Sequence, residues 1–437
     1  MRSLLLLSAA SAAVAYPNGA PNARLPTLGW SSWIALGPDG QAPVFDFCDE
    51  QSVKASADAF IALGESSAKP APPPLRGPAR TPRLLAPLRQ TRTNRSMKIH
   101  SGGARHAGLY DAGYRHFHLD DCWATTQRDA NNNTYAELDH FPNGLKPVID
   151  YVHSKGLSFG LYTCGGTKTC VGNRVGSMGF WQKDADSYAS WGVDWVKMDW
   201  CNNQGQEPKV AYASMSAALN NTGRPIAFNM CEWGVEDPWN WGDNIAQSWR
   251  MAGDHTGNWD STKSVIRSSA AIPANASGRP YGWNDMDMLE TGCGAQCAHA
   301  NGRQPNMTDI EWKTEFSMWA ISASPLQFTA PLMNCTAAPP APRPSCAVSL
   351  LAQHSQAACT LGASFGCDAG DASNNTMFTD AGCRGDFLCN GANVTCDVDG
   401  AGRHSCACAS GGAPVCTPWL SDLQKTILLN KEVIAIK

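Results

Sequence analysis

Seven acidic residues stand at the ends of short apolar runs: Asp120 and Asp121, Asp199, Glu232, Asp254, and Asp285 with Asp287. If those runs are strands of one parallel sheet, the carboxyl groups converge on a single face. Cleavage of a glycosidic bond needs two such groups, one to attack or to activate water and one to protonate the leaving oxygen. Further ionised carboxylates suit the binding of sugar hydroxyls, because they accept hydrogen bonds at both oxygens. Asp199 is the first catalytic candidate. It closes the stretch W-G-V-D-W-V-K-M-D-W-C-N-N (191–203), whose Val193, Trp195, Val196 and Met198 read as a strand buried on both faces. Ligands and chemistry collect at the C-terminal ends of such strands.

The elements that must position these residues alternate in a βαβα rhythm from Leu25 onward. Strands are predicted at 28–33, 115–119, 158–163, 194–198, 225–230, 245–249, 282–285 and 326–329. Helices are predicted at 51–63, 146–154, 179–190, 208–219, 261–271, 309–323 and 418–430. Eight such units predict an α/β fold, a (β/α)8 TIM barrel.

The first fifteen residues have a basic Arg2, an apolar stretch and a small-residue site at Ala13-Val14-Ala15, the pattern of a signal peptide. The mature chain is therefore expected to start near Tyr16 and to be secreted or delivered to a lysosome-like or vacuole-like compartment. No later segment has the roughly 18 uncharged apolar residues of a membrane span, so no membrane insertion is expected. A net charge of −4 argues against a dedicated nucleic-acid binder. Eighteen cysteines in an exported chain imply disulfides. N-x-[ST] sequons begin at Asn94, Asn132, Asn220, Asn275, Asn306, Asn334, Asn374 and Asn393, which predicts a glycoprotein. Sixteen tryptophans supply apolar platforms of the kind that sugar rings stack on, although most are expected in the core.

Two stretches break the rhythm. Residues 65–108 are rich in Pro and Arg, almost free of acid and aperiodic, and read as a disordered insertion after the first helix. Joining Gly64 to Leu109 restores F-I-A-L-G-L-Y-D-A-G-Y-R-H-F-H-L-D-D, so the insertion is either a translated intron or a tolerated surface loop. Loop-closure entropy grows only logarithmically with length, which limits its cost in stability. The second stretch, 335–416, holds ten of the cysteines and little periodicity, and reads as a disulfide-stapled insertion between strand 8 and helix 8. The division expected is thus a signal peptide at 1–15, a catalytic barrel at 16–334, the cysteine-rich insertion at 335–416 and the last barrel helix at 417–437.

The motifs L-G-W-S-S-W (28–33), Y-R-H-F-H-L-D-D-C-W (114–123), G-L-Y-T-C-G-G-T-K-T-C (160–170), W-G-V-D-W-V-K-M-D-W-C (191–201), C-E-W-G (231–234), S-W-R-M-A-G-D (248–254), W-N-D-M-D-M-L-E (283–290) and L-N-K-E-V-I-A-I (429–436) lie in one order. Together they resemble the melibiase-type α-galactosidases of glycoside hydrolase family 27, clan D. The resemblance spans nearly everything except the two interruptions. It implies that Asp199 is a nucleophile forming a covalent glycosyl-enzyme and that Asp254 is the general acid/base. It places Trp33, Asp120, Asp121, Tyr162, Lys197 and Arg250 in the substrate pocket. Glu232 with Trp233 looks like a reader of a free 2-hydroxyl, because related α-N-acetylgalactosaminidases carry a small residue there. Asp199 should stay ionised beside Lys197, and Asp254 should keep its proton until the leaving group departs. The two carboxyl groups should then stand at the retaining separation of roughly 5–5.5 Å.

The resemblance also implies disulfides Cys48–Cys122 and Cys170–Cys201. Cys293 and Cys297 are placed to close a short loop. Cys164 is expected either to pair with Cys231 across adjacent strand ends or to remain a free thiol. The family normally continues past the barrel into an antiparallel β-sandwich, whereas this chain stops at Lys437, so that domain is either missing or cut off. His116, His118 and His255 show no metal-ligand spacing and are assigned structural or surface roles. No metal and no cofactor is implied.

The expected activity is that of a secreted retaining exo-glycosidase. It would release terminal α-D-galactosyl residues from an oligosaccharide, polysaccharide or glycolipid. The alternatives are an α-N-acetylgalactosaminidase or β-L-arabinopyranosidase on the same scaffold, or a catalytically inactive carbohydrate-binding protein.

Overall fold

Short runs rich in aromatic and β-branched residues, too brief for helices, become the parallel strands of one sheet. A computed structural model describes residues 18–35, 48–63, 108–171, 173–276, 278–293, 306–336, 347–368, 376–389, 392–396, 402–408 and 415–436, and structural statements refer to these. The predicted signal peptide and nearly all of 65–108 lie outside them, as does Cys297. Strand β1 (Leu28–Ser31) leads into helices α1 (Ser32–Ala35) and α2 (Glu50–Ala62). Then follow α3 (Leu109–Ala112), β2 (His116–Leu119), α4 (Lys146–Ser154), β3 (Ser158–Cys164), α5 (Trp181–Trp191), β4 (Trp195–Asp199), α6 (Pro208–Asn221) and β5 (Ala227–Cys231). After two 3-10 turns come β6 (Ser248–Arg250), α7 (Trp259–Ala271), β7 (Trp283–Asp285), α8 (Asp309–Ile321) and β8 (Leu326–Phe328).

The eight strands pair in parallel in the order β7-β6-β5-β4-β3-β2-β1-β8. Leu289, beyond β7, bridges Phe328 of β8: its N–H donates to the Gln327 carbonyl at 2.8 Å, and Thr329 N–H donates to the Leu289 carbonyl at 3.0 Å. The sheet thus curls round on itself, the (β/α)8 arrangement expected. Alternation along β2 sorts its side chains. Phe117 faces out, 6.5 Å from Phe60 of α2, and each such buried aromatic is worth about 1.5–3 kcal/mol of burial. His116 and His118 face in, each 4.9 Å from Trp195. Ala20, Ala23, Trp195 and Ala227 cluster at the N-terminal end of the strands, and Trp283 Nε1–H donates to the Ala23 carbonyl at 3.3 Å. With that end plugged, the opposite end is left for the acidic residues.

Helix boundaries follow local chemistry. Asp49 caps α2 through a 2.6 Å bond from Ser52 N–H, a contact worth about 1 kcal/mol. Gly192, at φ +94°, ends α5 and turns the chain directly into β4, a conformation that a side chain would strain. Pro418 to Asn430 was expected to be one helix, but the chain forms α9 (Asp422–Leu428) and α10 (Lys431–Ile436) instead. Asn430 explains the restart, because its side-chain oxygen accepts from Glu432 N–H at 3.1 Å and Val433 N–H at 3.2 Å.

Residues 333–417 form a second compact unit. Its strands are β9 (Met333–Thr336), β10 (Val348–Gln353), β11 (Phe365–Cys367), β12 (Thr376–Thr379), β13 (Gly385–Cys389), β14 (Ala392–Cys396), β15 (His404–Ala407) and β16 (Val415–Pro418). They make small sheets, one of β10, β13 and β14, one of β11, β12 and β15, and a β9–β16 pair. Strands of three to six residues are too short to print a period on the sequence. Phe365, Met377 and Phe387 form a core that disulfides Cys359–Cys383, Cys389–Cys408 and Cys396–Cys406 staple.

Candidate active site

Strand β4 is buried along its whole length and ends on Asp199. Asp199 Oδ1 accepts from Trp200 N–H at 2.9 Å, and Oδ2 accepts from the Tyr162 hydroxyl of β3 at 3.2 Å. Burial raises the Asp199 pKa, and the Asp254 carboxylate adds to the rise, while Lys197, Trp200 N–H and Arg250 oppose it. Lys197 thus acts in the expected direction, favouring the ionised acid, but against a larger effect of burial. The Lys197 ammonium turns to Asp120, directly after β2, at 3.0 and 3.4 Å from its two oxygens. There it also lies 5.1 Å over the Tyr162 ring and 5.8 Å over the Trp33 ring.

Asp120 and Asp121 adjoin in sequence but live in opposite fields. Burial alone would lift Asp120, but Lys197 and His118 outweigh it and hold the carboxyl well below its ordinary range. Asp120 also accepts from the Ser31 hydroxyl at 3.3 Å, while its own N–H donates to Ser32 Oγ at 2.9 Å. Asp121 has Arg174 and Thr169 to lower it, but burial outweighs them. Burial pushes it up to about 7, although Val171 N–H donates to its Oδ2 at 3.0 Å.

On the far side stand β5 and β6. Arg250 Nη2 lies 3.0 Å from Asp254 Oδ1, 3.0 Å from Asp287 Oδ2 and 3.1 Å from the Ala252 carbonyl. The Asp254 side chain is 73% exposed, unlike the buried Asp199. One acid is therefore enclosed and the other open, joined by a mutual field that raises Asp199. Glu232 follows β5 and is fully buried, with neither carboxylate oxygen hydrogen-bonded. Burial, with Glu236 and Asp237 nearby, pushes it up to about 9. Trp233 and Gly234 after it take left-handed backbones, φ +60° and +81°. A Cβ on Gly234 would meet the Met251 carbonyl oxygen at 2.4 Å, so the loop closes tightly on the chain after β6.

Sulfur surrounds the nucleophile candidate. Cys48 is bonded to Cys122 and Cys170 to Cys201. The Cys170 and Cys201 sulfurs lie within 4.8 Å of an Asp199 oxygen, but, bonded to each other, they are not thiolate metal ligands. Cys164 and Cys231 are free and buried. Of the two alternatives for Cys164, the free thiol is the one observed: β4 runs between the two cysteines, with Cys164 opposite Asp199 on one side and Cys231 opposite it on the other. A disulfide cannot reach over an intervening strand. Cys164 Sγ instead donates to the Cys201 carbonyl at 3.1 Å, and Cys231 Sγ accepts from Arg250 Nη1 at 3.5 Å.

Several of the contacts that hold the site carry no local sequence signal. Asn229 of β5 donates to Asp285 Oδ2 at 3.0 Å and to Ser248 Oγ at 2.8 Å, holding the β7 acid inside the barrel. Asp287, at φ +81°, carries the second bond to Arg250. Ser31 and Ser32 hold Asp120, and their place in L-G-W-S-S-W was the only hint of that task.

A barrel with acidic residues gathered at its strand ends is an architecture shared by enzymes of many kinds, so the comparisons with known proteins bear on which kind this is. The chain belongs to the family described as alpha galactosidase A (Melibiase_2), which matches residues 98–340, more than half of its length. It is 44% identical over 303 residues to the alpha-galactosidase of Cyamopsis tetragonoloba, covering 69% of this chain and 58% of that one. It is 35% identical over 315 residues to alpha-galactosidase A of Cellvibrio japonicus, covering 70% and 61%. Among solved structures, the alpha-galactosidase from Saccharomyces cerevisiae with raffinose aligns at a TM-score of 0.53 and 30% identity, over 71% of this chain and 61% of that one. Alpha-galactosidase I from Mortierella vinacea aligns over 95% of this chain and 73% of its own, at a TM-score of 0.56 and 24% identity, a likeness of fold. The chain spans about half to three fifths of the length of the curated relatives it matches.

Proposed function

We propose that the chain is a retaining exo-acting α-galactosidase. Asp199 attacks the anomeric carbon of a terminal α-D-galactosyl unit while Asp254 protonates the departing glycosidic oxygen. Water then attacks the glycosyl ester on the same carbon, gives its proton to Asp254 and frees the Asp199 carboxylate. The observation that supports this most is the pairing of a buried carboxyl, oriented through both oxygens, with an open one anchored by Arg250 at 3.0 Å. Tyr162 and Trp200 N–H fix the attacking group, and the exposed Asp254 is free to meet a leaving group that extends into solvent. Asp120, Asp121, Lys197, Trp33 and Trp233 are assigned to the sugar. Glu232 is assigned to its 2-hydroxyl, which requires the loop after β5 to yield from its closed position.

The substrate is an α-galactoside oligosaccharide, polysaccharide or glycolipid. One solved relative is held with raffinose. Export through the secretory pathway is part of the same proposal, supported by the disulfides that tie loop to loop and staple the second unit. Among the described residues no helix is long and apolar enough to cross a membrane.

The test is turnover of p-nitrophenyl α-galactoside beside its N-acetylgalactosaminide, by residues 16–437 with and without 65–108. Galactoside hydrolysis with retained anomeric configuration is expected. Asp199→Asn should lower kcat by at least roughly 10³-fold with its circular dichroism unchanged. No turnover by either folded protein overturns the enzyme reading, and an active Asp199→Asn removes Asp199 from the nucleophile role.

A further inference from the structure

The chain directly after Asp254 is held with unusual completeness by side chains from three other elements. His255 N–H donates to Asp287 Oδ2 at 2.7 Å, Thr256 N–H to Ser261 Oγ at 3.0 Å, and Gly257 N–H to Glu290 Oε2 at 2.7 Å. The His255 ring is enclosed and bonded at both nitrogens, Nε2 to Glu315 Oε1 at 2.8 Å and Nδ1 to Ser261 Oγ at 3.2 Å. Glu315 and Trp319 lie one turn apart on α8. Trp319 packs against the imidazole at 5.1 Å between ring centroids, and its Nε1–H donates to the Asp287 carbonyl at 2.8 Å. Glu315 is fixed in turn by the Thr291 hydroxyl at 2.5 Å.

We propose that His255, clamped by Glu315 and Trp319, is a positioning residue that sets where the Asp254 carboxyl stands. This rests on the reading of Asp254 as acid/base. Asp254 has its own side chain tied only to Arg250, and Arg250 shares its guanidinium with Asp287. Asp287 is also the residue that anchors His255 N–H. The Asp254 backbone is therefore located from one side by the Arg250–Asp287 pair and from the other by the imidazole. Removing the imidazole leaves Glu315, Glu290 and Asp287 around a gap, without the group that Glu315 is bonded to at 2.8 Å. Burial disfavours a charged His255, but Glu315, Glu290 and Asp287 outweigh it and hold its pKa above the ordinary histidine value. Both ring partners are oxygens, which can accept from an imidazole N–H.

A misplaced general acid hurts most when the leaving group is poor, because a good leaving group departs without protonation. The experiment compares kcat/KM for aryl α-galactosides of graded leaving-group pKa and for an alkyl galactoside, in wild type, Asp254→Ala, His255→Leu, His255→Gln and Glu315→Gln. His255→Leu should lose roughly 10–100-fold on the alkyl galactoside and under threefold on the best aryl one. His255→Gln, whose amide N–H still reaches Glu315, should recover most of that loss. Glu315→Gln should follow the His255→Leu pattern more weakly and serves if His255→Leu does not fold. Steep leaving-group dependence in Asp254→Ala with none in the folded His255 or Glu315 variants overturns the positioning role. A flat response in Asp254→Ala itself sinks the acid/base reading on which the proposal stands. Loss of melting temperature with unchanged leaving-group dependence assigns His255 to structure alone and likewise overturns the proposal.

Discussion

Identical side chains in this site differ because of what surrounds them. Asp120 faces an ammonium and is held low, Asp121 faces mainly backbone donors and is pushed to about 7, and buried Asp199 is raised while bonded to a phenol and an amide. Glu232 is the extreme case, fully buried with both oxygens unpartnered and its pKa near 9. An acid kept protonated can donate to a sugar hydroxyl as well as accept from one, and a bare buried oxygen gains most from such a partner. If Glu232 reads the 2-hydroxyl as proposed, its bulk takes the space that an N-acetyl group would need. Glu232→Ser should therefore shift the ratio of kcat/KM from galactoside towards N-acetylgalactosaminide by at least roughly tenfold. An unchanged ratio, measured with the paired p-nitrophenyl substrates, takes Glu232 out of substrate discrimination.

At the scale of elements, the end of β4 depends on the loop that follows β3. Gly166 lies so close to the chain after β4 that a Cβ there would stand 2.0 Å from the Cys201 carbonyl oxygen. The two segments are further joined by Gly165 N–H to the Asp199 carbonyl at 2.7 Å and by the Cys170–Cys201 disulfide. That bond closes a sequence separation of 31 residues, for which chain entropy gives a stabilisation of about 3–4 kcal/mol. Cys170→Ser/Cys201→Ser should lose most of this in denaturant unfolding. It should also lose activity below the new transition, since Tyr162, which accepts from Cys170 N–H at 3.5 Å, then holds Asp199 less firmly. Full activity in the folded double variant would show that the staple serves stability only.

Across the whole molecule, the barrel interior is unusual in carrying two buried histidines. His116 and His118 stack at 6.1 Å between ring centroids; His116 Nδ1 meets Ser158 Oγ at 3.2 Å and His118 Nε2 meets Asp120 Oδ2 at 3.2 Å, while His116 Nε2 has no hydrogen-bond partner among the described residues. Burial, with His118 beside it, lowers His116 to about 3, and burial lowers His118 as well. A histidine whose folded pKa lies below its unfolded value binds protons more readily when unfolded. It therefore costs stability progressively as pH falls from about 6.5, and for His116 the loss stops only near pH 3. Buried carboxyls such as Asp121 act in the opposite sense, so the informative quantity is a difference. In His116→Asn, stability between pH 6.5 and 4 should fall less steeply than in wild type, by about 1.4 kcal/mol per pH unit at most. Parallel melting curves over that range would show that His116 does not drive acid unfolding.

The eightfold alternation, the strand-end acids and the cysteine partners at 48, 122, 170 and 201 were legible because each is written locally or in long collinear motifs. Strand ends moved by a few residues, and Asp199 proved to be the last residue of β4 itself. The antiparallel strands of 333–417 were not legible, because runs of three to six residues leave no period to detect. Partnership was decided by tertiary structure. Lys197 is two residues from Asp199 in sequence, yet the curl of the sheet brings Asp120, just past β2, to its ammonium across the intervening β3. Cys164 and Cys231 had matching chemistry, but β4 separates them. His255 and Glu315 lie 60 residues apart, on different elements, and no pattern in either segment announces the other. A side chain's type and its strand or helix come from near neighbours along the chain. Its charge state and its partner come from groups that only the closed barrel brings within 3 Å of it.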